Sequence, residues 1–148
     1  VFGTAHNRFY VGAILTSSLI ILKESWIFVT DNTNVNWVKT FHLYQGFRKT
    51  NARVGAFIKA SARSVEPPRL EYKGFKYKYS VKGDICKLMF TRSNYRQIYK
   101  NKSTVMLVTN SGFILKKKQE PRSKFLNGPL TRTLKRKKVL TLFKNIIY

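Results

Sequence analysis

The side chains that could carry out acid–base, nucleophilic or metal chemistry are few in this 148-residue chain. A single cysteine, Cys86, can form neither an intramolecular disulfide nor a zinc cluster with the two histidines, His6 and His42. Nucleotide-binding, nucleophile-elbow and metalloprotease motifs are absent from the sequence. The six acidic residues are scattered, as ion-pair partners or turn residues would be: Glu24, Asp31, Glu66, Glu71, Asp84 and Glu120. We therefore predict no catalytic residue, no metal site and no cofactor.

Cationic side chains dominate the residues that could bind a ligand. The 29 Lys and Arg residues against 6 Asp and Glu residues give a formal net charge of +23. An isolated globule with this charge repels itself, and the phosphates of a nucleic acid would neutralise it. The cations occur in several separate runs, such as Lys116–Lys118 and Lys135–Lys138. Because phosphate contacts give affinity without base specificity, nucleic acid is the first partner class expected.

An aromatic and cationic stretch leaves two roles open. Phe75, Tyr77 and Tyr79 fall on one face of an expected strand, and Lys76 and Lys78 fall on the other. The three rings could face the core, or they could stack unpaired bases. The second role supports an alternative function, a free single-stranded RNA-binding β-barrel protein. A nuclease, the remaining alternative, would need a carboxylate cluster for Mg²⁺.

Short strands are the elements that position these side chains. The runs Trp26–Val29 and Trp37–Tyr44 flank a cluster of turn residues and predict a hairpin. Further strands are expected at Ile58–Arg63 and Asp84–Arg92, and at Thr104–Val108 paired with Phe113–Leu115 through a turn. Five or more short strands therefore organise a mainly β chain.

In the C-terminal tail the apolar residues recur at a different spacing. After Gly128 and Pro129, apolar residues from Leu130 to Ile146 recur at spacings of three to five, which predicts one or two short helices. Short strands followed by a helical tail are typical of a small β-barrel with C-terminal helices. The longest apolar run, Phe9–Leu22, is shorter than the roughly twenty residues a membrane helix needs. We expect no membrane span.

Amino-acid usage indicates an A/T-rich gene. Phe, Tyr, Met, Ile, Asn and Lys total 60 residues, whereas Gly, Ala, Arg and Pro total 28. The first group has A/T-rich codons, and this bias fits many organelle genomes. Together with the lone cysteine, it favours a reducing or organellar interior over secretion.

Four segments carry familiar motifs. Trp26–Thr33 contains Val-Thr-Asp-Asn-Thr, and Arg53–Arg63 contains Val-Gly-Ala-Phe-Ile-Lys. Lys82–Arg92 contains Lys-Gly-Asp-Ile-Cys-Lys, and Gly128–Leu134 reads Gly-Pro-Leu-Thr-Arg-Thr-Leu. In this order over Ile20–Ile147, they resemble the universal L-fourteen family of large-subunit ribosomal proteins. The family counterparts read Val-Ala-Asp-Asn-Ser, Gly-Val-Gly-Asp-Ile-Ile-Lys, Lys-Lys-Gly-Asp-Val-Leu-Lys and Gly-Pro-Val-Thr-Arg-Glu-Leu.

Because of its differences from the family pattern, the chain resembles a divergent mitochondrial member of the family. Asn34 and Val35 stand where the family has Gly-Ala, Asn36 and Trp37 replace an Arg pair, and Ala56 replaces an Asp. We expect an N-terminal extension over 1–19, a β-barrel domain over 20–127 with an insertion around 67–80, and a C-terminal helical segment over 128–148.

The resemblance implies a structural, non-catalytic role in the large ribosomal subunit. It implies a five-stranded β-barrel with short C-terminal helices, bound to large-subunit ribosomal RNA near the face that meets the small subunit. The implied partners are neighbouring ribosomal proteins such as L-nineteen, small-subunit RNA across an intersubunit bridge, and a silencing or anti-association factor. The implied location is the mitochondrial matrix, within the mitochondrial ribosome.

Twelve cations are the expected RNA-binding residues. Arg132 is chosen because it lies inside the Gly-Pro-Leu-Thr-Arg motif, at the joint between barrel and tail. The full set is Arg48, Lys49, Arg53, Lys82, Arg92, Arg96, Lys116, Lys117, Arg122, Lys124, Arg132 and Lys135.

Overall fold

The part of the chain that the structure describes contains eleven strands and one helical turn. This computed structural model describes residues 20–44, 46, 50–67, 79–94, 96–98, 104–123, 125–131, 134, 137–143 and 146–147. The strands are β1 (Ile20–Leu22), β2 (Trp26–Val29), β3 (Val35–Leu43), β4 (Asn51–Arg53), β5 (Phe57–Val65), β6 (Ile85–Arg92), β7 (Arg96–Ile98), β8 (Thr104–Met106), β9 (Ser111–Leu115), β10 (Leu130–Thr131) and β11 (Ile146–Ile147). The helical turn is α1 (Lys137–Leu140).

Five of these strands close into a barrel in the order β2, β3, β5, β6, β9. Neighbouring strands are antiparallel except at the closing seam, where β2 runs parallel to β9 with Phe28 opposite Ser111. Register shifts interrupt the β3–β5 and β6–β9 pairings. Such irregularities bend strands, which lets a small sheet curl and close. The expected mainly β fold with a five-stranded barrel is confirmed.

Side chains point alternately inward and outward along each strand, and this alternation decides which of them fill the barrel. In β5, Ile58, Ala60 and Ala62 are fully buried, whereas the intervening residues face outward. The two alanines leave room in a narrow interior for larger residues of the neighbouring strand, Leu88 and Phe90. The small residues of β5 therefore make the five-stranded closure possible.

Strand β9 is buried on both faces because the C-terminal tail packs against its outside. Ile114 belongs to the barrel core, whereas Phe113 and Leu115 belong to a second apolar cluster. Leu134 and Phe143 of the tail complete this cluster, and the rings of Phe113 and Phe143 lie 6.1 Å apart. The tail therefore covers the strand that closes the barrel.

The short helices expected in the tail are not supported beyond one turn. In the described residues of 128–148, helical structure is limited to α1, and turn hydrogen bonds from Leu142 N to Val139 O and from Phe143 N to Leu140 O follow it. Leu130, expected on a helix, instead begins β10, which pairs in parallel with β11. The apolar residues of the tail are buried from extended and turn segments as well as from the helical turn, so their spacing of three to five does not mark one helical stripe. No helix of the described residues is long and apolar enough to cross a membrane.

The strand predictions have mixed outcomes. The hairpin is confirmed as β2–β3, and the strands expected at Ile58–Arg63 and Asp84–Arg92 are confirmed as β5 and β6. Strands also form within Thr104–Val108 and at Phe113–Leu115, as β8 and β9. The pairing of Thr104–Val108 with Phe113–Leu115 is wrong, because β8 pairs with β7 while β9 pairs with β2 and β6. Both edges of β9 are already paired, one with β2 and the other with β6, so β9 has no edge left for β8. Most of the aromatic stretch, residues 68–78, lies outside the described residues.

Candidate nucleic-acid interface

One group of exposed cations lies at the end of the barrel where β2, β5 and β9 finish and β3 and β6 begin. We call this the turn end, formed by residues 30–34, 66–67, 79–84 and 116–121. Lys82 is exposed there, in a turn where Gly83 N donates to Ala62 O at 2.8 Å. The topology thus brings Lys82 to the same end as the lysines that follow β9.

A tight turn presents those lysines to solvent. Lys116 N donates to Glu120 O at 2.7 Å, and Gln119 N donates back to Lys116 O at 3.0 Å. Gln119 takes a positive φ of 63° to complete the turn. The side chains of Lys116 and Lys117, and of the neighbouring Lys118, are all exposed. The backbone therefore holds three adjacent ammonium groups on one projecting loop.

Arg122 lies at the same end but is half-buried against the protein. Its Nη1 donates to Ser80 Oγ at 2.7 Å. Asn34 holds the same serine, because Asn34 Nδ2 donates to Ser80 O at 2.8 Å and Ser80 N donates to Asn34 Oδ1 at 3.2 Å. Arg122 thus joins the segment that follows the projecting loop to the segment that leads into β6.

Asp31 anchors the turn after β2. Its Oδ2 accepts a hydrogen bond from Ile114 N at 2.8 Å, and its Oδ1 accepts from Thr33 N at 3.0 Å and from Thr33 Oγ1. Burial raises the pKa of Asp31, although the bonds from Thr33 and Ile114 and the charge of Arg122 lower it in part. The carboxylate holds the β2 turn against β9, which confirms the turn role expected of it. Among the described residues, no group of three or more His, Cys, Asp or Glu side chains could hold a metal ion.

Arg92 and Arg53 lie at the opposite end of the barrel. Arg92 Nη2 donates to Asn127 O at 3.2 Å, and its guanidinium covers Gly128, which takes a φ of +90°. Burial lowers the pKa of Arg92. The side chain therefore supports the start of the C-terminal tail. Arg53 is exposed at the end of β4, opposite Ile20 of β1.

For the other expected RNA-binding residues, the structure gives only the strand position of Arg96. Arg96 begins β7, where it pairs with Met106. Arg48, Lys49, Lys124, Arg132 and Lys135 lie outside the described residues.

The barrel wall carries a pair of lysines that sequence reasoning missed. Lys59 of β5 and Lys87 of β6 lie directly opposite each other. Their Nζ atoms lie 5.8 Å and 5.2 Å from the centroid of the Tyr44 ring, and Lys87 Nζ also lies 4.9 Å from that of Phe57. Like charges directly opposite each other on antiparallel strands are destabilising. Each lysine ends a family-like motif, but the strand register that pairs them cannot be read from the motifs.

His42 lies on the barrel wall and Cys86 lies in the barrel core. His42 is exposed on β3, and its ring meets that of Tyr44 edge to face with centroids 5.5 Å apart. Cys86 is a buried free thiol in the barrel core, and burial raises its pKa. A raised pKa keeps the thiol protonated and poorly nucleophilic.

Comparison with known proteins identifies the family. Residues 20–147 match the family model described as Ribosomal protein L14p/L23e. A curated relative, the large ribosomal subunit protein uL14m of Tetrahymena pyriformis, is 28% identical over 127 residues. The alignment covers 84% of this chain and 97% of that protein. The matched range begins at β1 and ends with β11, so it includes every strand of the barrel.

Proposed function

Because this chain belongs to the ribosomal protein L14p/L23e family, we propose that it is a structural constituent of the large subunit of the mitochondrial ribosome. The observation that carries this proposal is the family match over residues 20–147, which spans the whole barrel and its tail. The role is one of assembly and RNA ordering rather than catalysis.

The mitochondrial assignment is supported by two independent observations. The relative in Tetrahymena pyriformis carries the suffix that marks mitochondrial members, and it is matched over 97% of its length. The amino-acid usage of this chain, with 60 residues of the six A/T-coded types, fits an organellar gene. The proposed location is therefore the mitochondrial matrix, within the ribosome.

Large-subunit ribosomal RNA is the proposed principal ligand. The exposed side chains of Lys82, Lys116 and Lys117 at the turn end, and of Arg53 at the other end, are free to reach phosphates. Arg92 and Arg122 already donate hydrogen bonds within the protein, so their main proposed role is to position segments that carry exposed cations. Cations on several sides suit a barrel that is enclosed by folded RNA.

The remaining RNA contacts are proposed from the sequence and from the family. Arg132 is proposed to reach RNA or an adjoining protein from the joint between barrel and tail. The other members of this group are Arg48, Lys49, Arg96, Lys124 and Lys135. We also propose that the protein contributes to the subunit interface, with small-subunit RNA, neighbouring ribosomal proteins and a silencing or anti-association factor as partners there.

Sedimentation of native ribosomes tests the proposed function. A mitochondrial lysate is resolved on a sucrose gradient after a high-salt wash, and the full chain is followed by an antibody. We expect the protein to migrate with the large subunit through the wash, because many simultaneous phosphate contacts and an enclosed position make release slow. Salt-labile binding, with the protein recovered in sub-ribosomal fractions, would instead identify a free RNA-binding protein and overturn the proposal.

A further inference from the structure

The wall of the barrel between its two ends carries a row of nitrogen-bearing side chains, two of them lysines, that the proposed function does not use. Across three neighbouring strands, the register places His42 opposite Lys59 and Lys59 opposite Lys87. Lys59 and His42 are exposed, and Lys87 is half-buried. Three nitrogen-bearing side chains therefore stand side by side on one outer face, at the spacing set by adjacent strands, about 5 Å.

Aromatic rings fix the two ammonium groups of this row. Tyr44 lies within 6 Å of both, with centroid distances of 5.8 Å to Lys59 Nζ and 5.2 Å to Lys87 Nζ. The centroid of the Phe57 ring lies 4.9 Å from Lys87 Nζ. A cation over a ring face is attracted by the ring quadrupole. The lysines are thus held over the rings, so a ligand would order them at a lower entropic cost than two free lysines.

The counter-charge for this pair is not supplied by the described part of the protein. No described carboxylate lies within salt-bridge distance of Lys59 or Lys87; the ion pair of β3, Lys39 with Glu24 at 3.6 Å, is a separate one. Two like charges opposed on adjacent strands repel each other until an anion binds between them. An apolar protein partner would bury both ammonium groups without a counter-charge, which is unfavourable. The missing partner is therefore an anion.

We propose that Lys59, Lys87 and the ring of Tyr44 form a binding site for the phosphodiester backbone of ribosomal RNA. This inference rests on the proposed function, because the ribosome is what supplies a fixed RNA strand at the barrel wall. The two ammonium groups donate to phosphate oxygens, and Tyr44 holds both lysines in place. His42 extends the row on the β3 side. The site reads the backbone only and confers no base specificity.

Lysine footprinting in intact particles tests the proposal. Purified large subunits and the free full-length chain are acetylated with a water-soluble reagent, and modification of each lysine is quantified by mass spectrometry. We expect Lys59 and Lys87 to react at least tenfold less in the subunit than in the free chain, and ribonuclease digestion to restore their reactivity. Equal reactivity in both forms, or protection that survives ribonuclease because a protein covers the site, would overturn the proposal. Absence of the chain from the subunits would instead refute the proposed function itself.

Substitutions provide a second, quantitative readout. Binding of the full chain to a transcript of the mitochondrial large-subunit RNA is measured over a range of salt concentrations. If each lysine contacts one phosphate, the double variant Lys59→Gln/Lys87→Gln should lower the salt slope by roughly 1.4–1.8, since each neutralised phosphate contributes roughly 0.7–0.9. A matched double variant, Lys23→Gln/Lys39→Gln, removes the same charge elsewhere and should leave the slope nearly unchanged. Equal slopes for the two double variants would contradict a specific site.

The role of the ring is tested separately. Tyr44→Phe keeps the ring and should bind RNA like the wild type, whereas Tyr44→Leu should weaken binding about threefold to tenfold because the lysines lose their support. Thermal unfolding of Lys59→Gln/Lys87→Gln shows that the double variant is folded, so that a loss of RNA binding is assigned to the site. A folded double variant with unaltered RNA binding would refute the site.

Discussion

Burial separates the charged residues that hold this fold together from those that are available to RNA. Asp31, Arg92 and Arg122 are buried or half-buried, and each makes hydrogen bonds that join two segments of the chain. The lysines of the turn end are exposed and make no comparable contact through their side chains. Sequence reasoning grouped Arg92 and Arg122 with these lysines, because charge can be read from a sequence and burial cannot.

Removal of the Asp31 carboxylate should destabilise the barrel. Asp31→Ala leaves the buried Ile114 N–H without its acceptor, which should lower the free energy of unfolding by about 1–3 kcal/mol. Asp84→Ala is the matched control, because Asp84 accepts a bond from Val81 N in an exposed turn where water can replace it. Urea unfolding in high salt measures the free energy of unfolding of both variants. Equal losses for the two variants would contradict the anchoring role of Asp31.

The pH dependence of stability provides a further check on Asp31. Burial raises its folded-state pKa above the unfolded value, so the folded protein holds this proton more tightly than the unfolded chain does. Its contribution to stability is therefore full at acid pH and is lost as the pH rises through the folded-state pKa. The stability advantage of the wild type over Asp31→Asn should shrink from acid to neutral pH. An advantage that grows over this range would show that the pKa is lowered instead.

Gly128 should be intolerant of a side chain for two reasons. Its φ is +90°, and a Cβ there would overlap the Arg92 guanidinium. Gly83 has a φ of +96° with open space around it, so Gly83→Ala measures the backbone cost alone, about 1–2 kcal/mol. Gly128→Ala should cost about 1 kcal/mol more, because Arg92 loses its bond to Asn127. In an Arg92→Ala background this excess should disappear, and an unchanged excess would contradict the contact.

At the scale of secondary-structure elements, the alternation of apolar and polar residues predicts where strands lie but not which strands pair. The alternation in Ile58–Arg63 places β5, and the turn residues after Val29 place the β2–β3 hairpin. The predicted partner of Thr104–Val108 is wrong, because local sequence favours a hairpin with the next strand whereas barrel closure pairs that strand with β2 and β6. The pairing of Lys59 with Lys87 escaped prediction for the same reason, since it depends on a register between distant segments.

The tail should stabilise the barrel by covering β9. Phe143 is 5% exposed and packs on Phe113, whereas the adjacent Leu142 is 39% exposed. Phe143→Ala should therefore lower the free energy of unfolding by about 3 kcal/mol, and Leu142→Ala by no more than about 1 kcal/mol. Urea unfolding of the two variants measures the difference. A loss for Leu142→Ala as large as that for Phe143→Ala would show that the tail does not pack in this way.

At the scale of the whole molecule, the net charge of +23 opposes the compact state unless anions surround it. The isolated chain should therefore be poorly soluble or partly unfolded in low salt. Raising the salt concentration should stabilise it by about 1–2 kcal/mol, a rise in Tm of roughly 3–6 °C. Thermal unfolding over a salt series measures this effect. A compact, soluble monomer in low salt with a salt-independent Tm would contradict the argument from repulsion.

A density map of the intact mitochondrial large subunit tests the central claim most directly. We predict that the barrel of this chain lies within the subunit, near the face that meets the small subunit, with ribosomal RNA against the exposed lysines of its turn end. A map in which another chain occupies that position, or in which the barrel is present but no RNA contacts its cationic surfaces, would contradict the account.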